Sequence, residues 1–259
     1  MVGTSDQRKD MFHYLATARD PETGELALSR DDLVAESFLL VIAGSDTTST
    51  VLCSTFFYLT HNPRVMEKLY KEITNTFGSI EEIKYGPKLL SCEYLRACID
   101  ESFRLGPAGV SELPRDVRAG GIEIDGDFYP EGTTVGISYW AYYRSEDTYG
   151  DPSTFRPERW IVSDAPGQSE GEVRALKHAF TPFLKGVGSC LGKNIAVLEL
   201  TATIARTLWR FEVRQMPGDT TGEGRDSLGW GRRSSKHYLM GDAYLSQRDG
   251  PVIQLRARK

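Results

Sequence analysis

Between Leu33 and about Thr60, apolar residues fall on most sides of a helical projection, the pattern of a helix that runs through an interior. Glu36, Asp46 and a dense Thr/Ser cluster interrupt the stretch, which argues against a membrane span. Ser29, with Asp32 three residues on, gives that helix a capping-box start. Asn62-Pro63 stops it and opens an amphipathic helix, Arg64 to Phe77, in which Val65, Leu69 and Ile73 repeat at four-residue steps. A further helix is predicted over about Glu93 to Leu105. Ahead of all these, residues 7–19 predict a short helix ended by the DPETGE turn. Past Pro107 the period changes. β-branched and polar residues alternate around Gly120, Gly126 and Gly132, which predicts a small twisted sheet. Residues 161–178 are polar with Gly and Pro, and read as a surface loop. A last long helix, Lys193 to Phe211, precedes a tail of short strands. With no internal repeat and no linker, the pattern predicts a mainly α fold with small β-sheets, an α+β class.

Composition narrows the function. A chain of 259 residues with 40% apolar content can bury a real core. The net charge of −5, with no Lys/Arg run longer than a pair, excludes a duplex-binding surface, so nucleic acid is not an expected partner. The first residues, MVGTSDQRKDMFHYL, have neither the apolar core of a signal peptide nor the composition of a transit peptide. Four cysteines without regular spacing suit a reducing compartment. Cys53, Cys92 and Cys98 lie in apolar helical surroundings and read as inert core residues.

Cys190 is different. It sits in PFLKGVGSCLGKN, where glycines on both sides let the backbone approach a flat partner closely and aim amide N–H groups at the sulfur. A phosphate loop fails on count, because five residues rather than four separate Gly186 from Gly192-Lys193, and Asn194 stands where a metal-binding Ser or Thr would be. A buried structural cysteine is the bland rival, and a sulfur nucleophile working with His178 is a third reading. In the apolar helix, Ala43-Gly44-Ser45-Asp46-Thr47-Thr48 places hydroxyls where Thr47 can turn back to the Ala43 carbonyl and bend the helix. A buried carboxylate at Asp46 would be costly unless used or paired. Glu101 and Arg104, three apart, share one helical face. FRPERW, containing Phe155, Pro157, Glu158 and Arg159, and LPRDV, containing Arg115, complete the set.

In order and approximate spacing, these segments resemble the C-terminal half of the cytochrome P-450 family. Phe183, Gly186, Cys190 and Gly192 match its ligand loop, F-x-x-G-x-R-x-C-x-G, and all six helix positions match A/G-G-x-D/E-T-T/S. The resemblance implies haem b as cofactor with Cys190 as the iron ligand, whose thiolate pushes electron density toward bound dioxygen. It implies that Phe183, Gly186, Gly192, Ala43 and Gly44 shape the cofactor site, and that Arg115 reaches a propionate. Thr47 is then the hydroxyl that organises water and contacts dioxygen, with Asp46 linking that relay to solvent. Glu101, Arg104 and Arg159 form a buried structural cluster behind the cysteine loop.

The sequence departs from the family at Gly188, which stands where the family has an arginine to a propionate; Lys185 is the candidate substitute cation. By resemblance the reaction inserts one oxygen atom of O2 into an apolar organic substrate, with electrons from an NADPH-dependent flavoprotein reductase. Pocket-lining candidates are the face around Leu40 and Ala43, the turn Gly106 to Leu113 and a hairpin near Met240 to Tyr244. Full-length relatives are expected on the cytoplasmic face of the endoplasmic reticulum. The resemblance covers only the family's C-terminal half and implies that its front half and anchor are not expected in this chain, so the alternative expectation is a truncated, catalytically incompetent product that acts at most as a binding module.

Overall fold

The computed structural model describes residues 9–258, in two compact units, one ending at Asp46 and one beginning at Thr47. In the first, α1 (Met11–Thr17) is capped by Asp10, whose carboxylate accepts from the His13 amide at 3.0 Å. The predicted start at residue 7 lies outside the described residues. The turn that follows is built by the Asp20 carboxylate, which accepts from the amides of Glu22 and Thr23. Helix α2 (Arg30–His61) begins with the predicted reciprocal cap: Ser29 N donates to Asp32 Oδ2 at 2.9 Å and Asp32 N to Ser29 Oγ at 3.2 Å.

The expected burial of α2 along its length needs correction. Its buried side chains begin at Thr48 and include Thr50, Val51, Ser54, Phe57 and Leu59, whereas Val34, Phe38, Leu39, Leu40, Val41 and Ile42 are exposed. An apolar surround records a preference for burial and does not ensure that enough chain packs over the helix. By length and composition alone it is the one helix among the described residues that could cross a membrane.

The second unit carries α3 (Pro63–Thr76), the single-turn α4 (Pro87–Leu90) and α5 (Glu93–Leu105). Leu69 and Ile73 of α3 are fully buried, as their spacing predicted, against Leu95 and Ile99 of α5 and Leu200, Ile204 and Leu208 of the long helix near the C-terminus. The predicted sheet beyond Pro107 resolves into two separate antiparallel pairs. Strands β1 (Arg115–Asp116) and β4 (Thr134–Val135) pair with Arg115 opposite Val135, and β2 (Ile122–Ile124) pairs with β3 (Asp127–Tyr129). Asp125 and Gly126 join that hairpin with φ of 51° and 89°, the pair of positive values a two-residue turn needs.

Two further single-turn helices, α6 (Tyr139–Tyr142) and α7 (Glu146–Tyr149), precede a helix that the sequence had assigned to loop. Within residues 161–178, Glu170–Ala179 is helix α8, opened by a Ser169–Glu172 capping box. Val173 is buried, and Leu176 packs against the cluster that holds Trp160 and Tyr143. Two apolar residues at helical spacing suffice to seat the helix although its other positions are polar. Helix α9 (Lys193–Arg210) matches expectation. The tail forms β5 (Phe211–Gln215) with β8 (Ile253–Ala257), and the hairpin β6 (Met240–Ala243) with β7 (Leu245–Arg248). The fold is thus mainly helical with small antiparallel sheets.

Candidate functional site

Helix α5 supplies the foundation. Glu101 and Arg104, on one face three residues apart, are completely buried, and Arg159 is 3% exposed. Arg104 Nε donates to Glu101 Oε2 at 3.0 Å and Nη2 to Oε1 at 2.8 Å, while Arg159 Nε reaches Oε1 at 3.0 Å. The cluster predicted from E-x-x-R and P-E-R is therefore formed, and it is saturated. Arg104 Nη1 donates to the carbonyls of Tyr143 and Pro152, and Arg159 to those of Tyr149 and Asp151. Burial by itself pushes the Glu101 carboxyl up, but Arg104 and then Arg159 override it and hold it below the ordinary carboxylate value.

Sequence reasoning missed Trp160, whose indole Nε1 donates to Glu101 Oε2 at 2.9 Å, and the Arg156 amide, which donates to Oε1. An indole N–H beside a buried carboxylate needs an acceptor, and that was the available signal. Glu158 turns elsewhere, accepting from the Tyr94 hydroxyl at 2.7 Å and from Lys68 Nζ at 2.9 Å.

The cysteine loop leans on this helix through Phe183, whose ring meets Phe103 edge-on at 5.1 Å. Its backbone is closed by Cys190 N donating to Phe183 O at 2.9 Å and Ser189 N to Gly186 O at 3.1 Å. Gly186 has φ of 67°, which only glycine adopts without strain. Gly192 leads into α9, where the Ala196 amide donates to its carbonyl. Cys190 is exposed, in contrast to buried Cys92 and Cys98 and half-buried Cys53, and all four are free thiols. Val187 and Leu191 beside it are fully exposed.

A Cβ added at Gly188 would meet nothing within 4 Å. No close approach therefore requires glycine at this position. Lys185 is placed otherwise than as the substitute cation: Nζ donates to the His178 carbonyl at 2.8 Å, at the C-terminal end of α8.

On α2 the helical pattern continues without a break through Ala43–Thr48. Hydroxyl back-bonding occurs in this region, with Ser45 Oγ donating to Val41 O at 2.6 Å. Asp46 and Thr47 are half-buried, which corrects the expectation of a buried carboxylate, and Ala43 and Gly44 are exposed. Arg115 is exposed too, with Nη1 donating to the Pro114 carbonyl at 2.8 Å.

Two of the predicted pocket segments are brought together. Ser246 of β7 donates through N to Ala108 O at 2.8 Å and through Oγ to Pro107 O at 2.7 Å, which docks the β6–β7 hairpin on the turn after α5. Gly106 lies under this junction. A Cβ there would stand 2.2 Å from Ser54 Oγ and 2.9 Å from Ser54 Cβ of α2, and 3.4 Å from Met240 Sδ. Gly106→Ala is expected to cost about 1–3 kcal/mol by overpacking. A fall of the thermal midpoint by roughly 2–12 °C would register it, and adding Ser54→Gly should restore much of the loss.

The site thus joins an exposed cysteine on a glycine loop to a helix-rich fold with a buried carboxylate–arginine cluster. The sequence profile of the cytochrome P-450 family matches residues 3–239. The chain belongs to that family. It is 37% identical over 254 residues to a cytochrome P-450 monooxygenase of Gibberella zeae, covering 97% of this chain and 57% of the relative. It is 40% identical over 258 residues to cytochrome P-450 monooxygenase apf7 of Gibberella fujikuroi, covering 98% and 47%. Against cytochrome P-450 monooxygenase lcsN of Purpureocillium lilacinum the identity is 35% over 251 residues, covering 96% and 72%. The chain thus spans about half the length of the first two relatives.

Proposed function

We propose that this chain carries the thiolate-ligand half of a haem monooxygenase, with Cys190 as the ligand to the iron. The carrying observation is the exposed Cys190 sulfur on a loop tied to Phe183 and backed by α5. The donor set fits haem: a soft thiolate suits iron, open space lies beside Gly186 and Gly188, and the exposed Val187 and Leu191 offer apolar surface. When bound, haem supplies the redox chemistry by which one atom of O2 enters an apolar organic substrate, with electrons delivered by an NADPH-dependent flavoprotein reductase.

The chain's own residues hold and orient. Phe183, Gly186 and Gly192 would shape the loop that offers the sulfur to iron, and Ala43 and Gly44, which carry little or no side chain, would be the positions of α2 that admit the cofactor. Thr47 holds a proton at its hydroxyl and Asp46 exchanges it with solvent. Arg115 would hold the cofactor by pairing with a propionate, a role suited to its permanently charged fork. The Glu101–Arg104–Arg159 cluster positions α5 and does not react. We place the complete enzyme at the cytoplasmic face of the endoplasmic reticulum.

The test is uptake of haem by the purified chain, followed by reduction under carbon monoxide. A strongly red-shifted Soret band, the mark of sulfur ligation, is the expected result. Failure to take up haem would favour the second reading, a binding module without catalysis, which the missing cation at Gly188 also supports.

A further inference from the structure

We propose that the loop from Arg225 to Lys236, between β5 and β6, is a docking element for an anionic lipid surface. Its sequence, RDSLGWGRRSSK, carries Arg225, Arg232, Arg233 and Lys236 against Asp226 alone, a local charge of +3 within a chain whose net charge is −5. All four cations are exposed. Among the described residues none of them is joined to a carboxylate in an ion pair. At the loop's far end Gly229-Trp230-Gly231 presents an indole that is 83% exposed.

The loop is built. Arg225 N donates to Arg232 O at 3.0 Å and Gly224 N to His237 O at 3.3 Å, closing its neck, and Arg233 Nε donates to Leu228 O at 3.1 Å across it. Two glycines are required by close approach. A Cβ at Gly224 would lie 2.4 Å from Ser234 O and 2.5 Å from Arg232 O, and one at Gly231, where φ is 77°, would lie 2.9 Å from the Trp140 ring. The Trp230 ring meets Trp140 edge-on at 5.8 Å, and Trp140 carries the Arg144 guanidinium over its ring at 4.3 Å. The exposed indole is therefore held in place by an ordered loop.

An indole has an apolar body and a polar N–H, which suits the headgroup zone of a bilayer. Adjacent Lys and Arg each strengthen attachment to an anionic surface by about fivefold. Unpaired cations of one sign around an exposed Trp match anionic lipid in both charge and polarity.

Vesicle co-sedimentation of the whole chain tests this. Vesicles containing phosphatidylserine should bring the protein down, pure phosphatidylcholine vesicles should do so much less, and added salt should weaken binding. Replacing Arg232 and Arg233 together by alanine should weaken it about 25-fold, and Trp230→Ala should also weaken it and remove the quenching of tryptophan fluorescence by brominated lipid. Both sites are exposed, so folding should survive. Equal binding to the two vesicle types, as the exposed apolar side chains of α2 would give, overturns the proposal. So does unchanged affinity in either variant, or no sedimentation with any lipid.

Discussion

Glu101→Ala is expected to unfold the larger unit, or to leave it destabilised by about 3–5 kcal/mol. The carboxylate accepts from Arg104, Arg159, Trp160 and the Arg156 amide, all in a region without access to water. Removing it strands two buried guanidinium groups and an indole N–H, and uncompensated buried charge is among the costliest single changes a core can suffer. Urea denaturation followed by circular dichroism would show the loss; an Ala variant within about 0.5 kcal/mol of the parent would mean the cluster does not hold the core.

The same carboxyl predicts the acid limb of stability. Its folded-state pKa is depressed, so the stability it confers is present above the ordinary Glu value of about 4.3 and drains away as pH falls below it toward the folded value. Stability measured downward from neutral pH should therefore hold to about pH 4.5 and then decline, and the decline should be shallower in Glu101→Gln.

Cys190→Ser is expected to divide function from fold. The side chain is exposed and Gly192 is the glycine nearest its sulfur, at 3.7 Å from an added Cβ. Serine should change stability by no more than about 0.5 kcal/mol, as at ordinary surface sites. The same change removes the soft donor, and the red-shifted band of the reduced carbon monoxide complex should disappear entirely. A serine variant that kept the band would place the ligand elsewhere and sink the proposed site. Parallel loss of band and fold would mean instead that the loop is structural.

Much of this was legible because short-range spacing does local work. The four-residue steps of Val65, Leu69 and Ile73 set the buried face of α3, and the i, i+3 step of Glu101 and Arg104 set their common face. The capping pair Ser29 and Asp32 fixed where α2 starts. At α8, by contrast, the polar texture of residues 161–178 concealed a helix, although Ser169 and Glu172 carried the same kind of capping signal and Val173 and Leu176 the helical step. A capping box weighed ahead of composition would have found it.

The sequence by itself determined the class of elements, the fixed order of the chemical segments and the identity of the one cysteine set among glycines. Those features depend on neighbours a few residues away, whose geometry the backbone dictates. Tertiary structure alone decided how much of α2 is covered, that Lys185 reaches the end of α8, that Trp160 completes the Glu101 cluster, and that the 225–236 loop holds its indole in water. Each of these depends on which distant segment arrives to cover a surface or satisfy a donor, and no local pattern encodes that arrival.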